Sequence, residues 1–241
     1  MRLPPLLIAL LLLAGCAAAP PVTRSSAGQP LAPPLTDWQH RAFPGKQATS
    51  YAPAWLDGRP AMAARAEASA SVLRQRVRLE PDQLGHVRFS WKVPNLIHEA
   101  DLARREVADS PVRLILAFEG ARSKFSLKDT LLSELVHTLT GEPMPYATLM
   151  YVWCNHRPPG SVIGSPRTER IRKLVVESGS QGLNQWLAYE RDIRADFERA
   201  FGEPPGALIG MAIMTDTDNT RSTAQAWYGP VQLVHAPTAS R

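Results

Sequence analysis

A chain of 241 residues with 44% hydrophobic composition and a formal net charge of +5 can build one domain with a substantial core and leaves no room for a second. Its mild basicity favours anionic surfaces or glycans, and no nucleic-acid-binding motif is present, so nucleic acid is not an expected partner.

At the N-terminus, Arg2, the apolar run Leu6 to Leu13 and the ending Leu13-Ala14-Gly15-Cys16 form a targeting segment that is too short to span a bilayer. The ending resembles a bacterial lipoprotein signal. That resemblance implies a signal peptide over residues 1–15, acylation of Cys16 and a membrane partnership through the lipid. Ala17, where an aspartate would signal otherwise, implies the periplasmic face of the outer membrane for a Gram-negative source. With Cys16 lipidated, Cys154 has no partner for an intramolecular disulfide, and loss of Arg2 leaves a net charge of +4. Residues 16–36 are rich in Ala, Pro and Ser and read as a tether, reaching about 60 Å if polyproline-like. The folded domain is expected over residues 37–236, followed by a short tail at 237–241.

Within the domain, Ala61 to Leu79 reads as two strands broken near Ala70-Ser71, although its alanines also suit a helix. Val87, Phe89, Trp91 and Val93 alternate with polar residues, the period of a strand with one buried face, and Pro94 closes the run. Val112 to Phe118 alternates similarly, with Arg113 on the opposite face. Shorter runs follow at Leu149 to Trp153 and at Ile171 to Val176; the basic stretch Arg170 to Lys173 reads as an edge strand with a solvated face. Ser126 and Asp129 make a capping-box-like start to a helix whose Leu127, Leu131, Leu135 and Leu139 recur every four residues until Gly141. This spacing predicts a buried leucine stripe. Ile193, Phe197 and Phe201 mark a second helix before Gly202, and Leu96 to Arg105 is a candidate third. Ala207 to Val234 reads as strand, polar turn, strand. About eight strands with two or three short helices, and no regular strand-helix alternation, point to a mainly β, two-sheet sandwich of the jelly-roll type.

The polar turn carries the candidate site. Asp216, Asp218 and Thr220 have the alternate oxygen spacing of calcium loops, but the twelve-residue EF-hand pattern fails because its sixth and twelfth positions fall on Arg221 and Trp227. The competing reading is a turn in which Asp and Asn side chains hydrogen-bond their own backbone. A cation site would need further ligands, for which Asp109 is the candidate; no other cofactor is implied. Asn219 and Arg113 join the ligand-binding candidates, with Trp153 and Trp227 as aromatic surfaces for a sugar near strand ends. Six scattered histidines lack metal-ligand spacing. Glu119, Glu177 and Glu190 are the carboxylates a glycosidase would recruit beside the two aspartates, and nothing in the sequence pairs them.

Several segments resemble the bacterial domain-of-unknown-function family 3047. They are Trp38 with Phe43 and Tyr51, Phe89-Ser90-Trp91, Arg113, Tyr151-Val152-Trp153, Val176 to Gly179, Arg191-Asp192 with Asp196, Phe201-Gly202 and above all Met214 to Thr220. The resemblance implies an exported jelly-roll sandwich similar to galactose-binding and carbohydrate-binding modules, with no established activity. Where that family has paired aspartates before the arginine, this chain has Ala108-Asp109. Three readings follow: a non-catalytic glycan- or ligand-binding domain, a glycan hydrolase or lyase on the same fold, and a structural partner in an envelope complex.

Overall fold

A computed structural model describes residues 38–235. The signal, Cys16, the tether and the tail lie outside the described residues. The strands in chain order are β1 (Gln39–Ala42), β2 (Ser50–Leu56), β3 (Arg59–Glu67), β4 (Ser71–Leu79), β5 (His86–Lys92), β6 (Ser110–Phe118), β7 (Ala147–Cys154), β8 (Val162–Gly164), β9 (Ile171–Ser178), β10 (Trp186–Asp192), β11 (Leu208–Asp216), β12 (Thr223–Tyr228) and β13 (Gln232–Val234). Helix α1 (Leu127–Thr140) joins β6 to β7, and α2 (Ile193–Phe201) joins β10 to β11.

Two sheets form the sandwich. One has seven strands in the order β1-β4-β11-β6-β7-β9-β8; the other runs β10-β5-β12-β3-β2, with β13 beside β5. Only β7 and β9 pair in parallel among the described residues. Because successive side chains on a strand point to opposite faces, Leu114, Leu116 and Phe118 of β6 meet Phe89 and Trp91 of β5 in one core with Leu149 and Tyr151 of β7. Tyr228 ties the sheets together: its hydroxyl donates to the Met214 carbonyl at 2.7 Å and lies 2.9 Å from Thr215 Oγ1.

The mainly β sandwich matches the sequence reading, and so do the break at Ala70, the strands centred on Phe89 and Leu114, and both principal helices. Strand β2 escaped notice because Ala and Pro weaken its pattern; Pro53 is tolerated there since β2 is an edge strand. Its hairpin with β3 turns at Asp57-Gly58, both at positive φ (52° and 72°), as a two-residue turn requires. The second C-terminal run divides into β12 and β13.

Three expectations are corrected. The stretch Leu96 to Arg105 is irregular rather than helical, because its carbonyls serve other partners: Asn155 Nδ2 donates to those of Ile97 and Ala100, and Lys173 Nζ to that of Leu102. Strand β9 is no edge, since β7 and β8 flank it, and Lys173 is buried. The leucine stripe of α1 faces out: Leu127, Leu131, Leu135 and Leu139 are 55% to 77% exposed, while Asp129 and Ser133 are buried. A four-residue period marks a helix, but only its partners decide which side turns inward.

Candidate functional site

The end of β11 brings the predicted carboxylates together. Asp216, fully paired inside the sheet, accepts from Arg113 Nε at Oδ1 and Nη2 at Oδ2, each at 2.8 Å, and from the Ser110 amide at 3.2 Å. Both side chains are only 4% exposed. Burial raises the Asp216 carboxyl above the usual carboxylate range, with the Arg113 guanidinium opposing. This is a bidentate, charge-assisted pair. Arg113 Nη2 also donates to the Ala108 carbonyl at 2.6 Å, a backbone role that alanine fills as well as aspartate.

Asp109 organises the turn. Its Oδ1 accepts from the Asn219 amide and Nδ2, and its Oδ2 from the Thr220 amide and hydroxyl, at 2.6 to 3.3 Å. Asp218 pairs with Lys46 Nζ at 2.5 Å. The turn is therefore held by a carboxylate from a distant loop, not by its own aspartates.

Oxygens of Asp109, Asp216 and Asp218 lie within 4.8 Å of one another, the set named as a cation site. The donor chemistry fits calcium poorly. Calcium takes six to eight oxygens with free lone pairs, whereas here Arg113 and Lys46 already neutralise two carboxylates and Asp109 is saturated by four donors. Nearby, Lys173 donates to the Leu102 carbonyl at 2.6 Å. Burial, with Arg113 beside it, lowers its ammonium to about 7.

The tryptophans separate. Trp153 is buried in the core and its Nε1 donates to the Gly179 carbonyl at 2.9 Å, so it offers no ligand surface. Trp227 lies on the outer face of the six-stranded sheet, opposite the core residues Ala226 and Tyr228. There the register places Trp227, Lys92 and Trp186 side by side on β12, β5 and β10. Two strand spacings put the tryptophans ~10 Å apart. Small residues surround them: Ala63 beside Trp227 and Ala52 beyond it, with Ala188 on the same face of β10. Asp57, at the β2–β3 turn, accepts from Lys92 Nζ at 2.7 Å and Trp186 Nε1 at 3.1 Å, and Arg59 sits 5.0 Å over the Trp186 ring. Trp186 and Lys92 were missed, because their meeting depends on strand order.

The carboxylates a glycosidase would use are dispersed: Glu119 pairs with Arg78, Glu190 with Arg88, and Glu177 accepts from the Tyr189 hydroxyl.

A family model described as "Protein of unknown function (DUF3047)" matches residues 36–232. The chain belongs to this family. In this DUF3047 domain, Met214 to Thr220 and Arg113, quoted above for the resemblance, meet in the buried ion-pair network. No match is found among curated proteins. Among solved structures, the DUF3047 chain is similar to the xyloglucanase domain of NopAA, a type three effector from Sinorhizobium fredii in complex with cellobiose, at 8% identity and a TM-score of 0.44, covering 83% of this chain and 93% of that one. It is also similar to the endo-1,4-beta-glucanase CelB2 at 11% identity and a TM-score of 0.37, covering 79% and 82%.

Proposed function

We propose that this DUF3047 protein is a non-catalytic glycan-binding domain of the cell envelope, held by a lipid on Cys16, with its glycan lying across the outer face of the six-stranded sheet. The observation that carries the reading is the row Trp227, Lys92 and Trp186. The alanines leave room for sugar rings on Trp227 and on the face of Trp186 that Arg59 does not cover, and Lys92, Arg59 and Asp57 supply hydrogen-bonding groups for hydroxyls. The carboxylate beside the row, Asp57, is engaged by Lys92, and Asp216 is enclosed by Arg113. Asp57 has no facing carboxylate, and the acids facing Asp216 are held by other groups, Asp109 by the turn donors and Asp218 by Lys46, so no pair is free for acid-base cleavage.

A glycan array probed with residues 37–241 tests this. A retained oligosaccharide should bind roughly tenfold more weakly to Trp186→Ala and to Trp227→Ala, the loss of about 1.4 kcal/mol of stacking. Retention unaffected by either change, or release of new reducing ends, would refute the reading.

A further inference from the structure

We infer that α1 is a membrane-contact helix that lays its leucine stripe on an anionic lipid surface. Among the described residues the exposed large hydrophobics are Leu127, Leu131, Leu135, Leu139, Trp55 and Val162. Four of the six share this one helix, and such clustering marks an interaction surface rather than the scatter of ordinary exposed residues.

The inside of the helix explains how the stripe stays out. Asp129 is buried and accepts from the Thr168 hydroxyl and from Ser126 Oγ. Ser133, also buried, accepts from Arg122 Nη1 at 3.0 Å. The helix is thus anchored by polar bonds and turns its apolar side to solvent, the reverse of the usual amphipathic arrangement in which the apolar stripe faces the core. Its ends are capped by Ser126 and by Gly141 at φ 74°, so the inverted helix is a completed element.

The surroundings indicate which occupant the stripe takes. Between α1 and the outer face of the seven-stranded sheet runs a groove of about 1380 Å³, bordered by Val136 and Leu139 of the helix and, across it, by Arg41, Arg74, Arg76 and Phe43. Five arginines and three glutamates border this groove; Glu142 pairs with Arg74 and Arg76, and Arg78 with Glu80 and Glu119, which leaves a basic excess of two, while on the helix Lys128 is matched by Glu134. A basic excess beside an apolar stripe matches a surface with negative headgroups over an apolar interior. The described chain also begins here: β1 and Phe43 follow Trp38 directly, on the groove wall facing α1. A lipid on Cys16, on a tether of some twenty residues that joins the domain at this wall, would hold the bilayer within reach of the stripe. This last step rests on the anchor reading; the exposed stripe and the basic border do not.

The test uses the full lipidated chain bound to vesicles of equal parts phosphatidylethanolamine and phosphatidylglycerol. An environment-sensitive fluorophore is attached at Leu135→Cys, with Leu131→Cys as a second position and Gln225→Cys, exposed on the other sheet, as control. Cys154 is buried and Cys16 acylated, so labelling is selective. Melting curves confirm that the variants fold. Nitroxides on the lipid acyl chains should quench more than half of the emission at 135 and at 131 and leave 225 unaffected, and phosphatidylcholine vesicles should quench less. Unquenched emission at 135 and 131 in vesicle-bound protein overturns the inference while leaving the anchor intact. Energy transfer between labelled copies without lipid quenching assigns the stripe to a second copy and overturns it too. A chain that fails to associate with the vesicles overturns both the inference and the anchor.

Discussion

Asp216 does not cap a turn; it holds a buried guanidinium. Replacing it with asparagine preserves shape but leaves Arg113 as an uncompensated interior charge, so Asp216→Asn should destabilise the fold by about 3–5 kcal/mol, read as a lower urea midpoint at unchanged slope. Because the carboxylates are already satisfied by Arg113, Lys46 and the turn amides, millimolar calcium should not shift the melting temperature of the parent chain. A calcium-dependent rise that disappears in Asp216→Asn would restore the cation reading. Lys173 provides a pH signature. Its ammonium titrates near 7 in the fold against about 10.4 unfolded, so between those values the unfolded state binds the extra proton and stability rises with pH, by up to about 1.4 kcal/mol per unit. Below pH 7 both states are protonated and the contribution is flat. The difference between the parent and Lys173→Met should show this slope over pH 7 to 10, and parallel profiles would contradict it.

At the scale of elements, α1 separates two properties that usually travel together. Helix formation follows from capping and spacing within fourteen residues, whereas burial follows from what the helix lies against. Since Leu131 faces solvent, Leu131→Ala should change stability by no more than about 0.5 kcal/mol. Asp129→Ala should cost more, because it strips the Thr168 hydroxyl of its acceptor inside the fold; hydrogen exchange should then accelerate through α1 ahead of the β6 and β7 amides. Equal costs for the two substitutions would mean that the leucines carry the packing after all. Strand β9 makes the same point: its basic run resembles an edge, yet β7 and β8 cover both sides, and Lys173 is buried beneath Leu102.

For the molecule as a whole, the two sheets give the domain two outer faces of different character. One presents tryptophans among alanines on the six-stranded sheet, the other an arginine-bordered groove beneath a leucine-bearing helix. With a lipid on Cys16 the protein would stand between a bilayer and a glycan, each approached by its own face. Cys16→Ser should release the chain from the membrane fraction, and full retention would require another means of attachment.

The elements legible in the sequence are those whose cause is local. Alternation at Val87 to Val93 and at Val112 to Phe118, the Ser126 cap and the glycine stops act over a few residues of backbone, and the strands and helices they mark are present. The carboxylate set Asp109, Asp216 and Asp218 was also readable, because oxygen-rich residues crowd one turn and a resemblance pointed to Arg113. What those groups do was decided elsewhere. Arg113 meets Asp216 across 103 residues of chain, Asp109 reaches the turn from another loop, and Trp186 stands beside Trp227 only because β5 lies between their strands. Register and strand order determine such meetings, and they arise from the packing of the whole core, for which no local spacing carries a record.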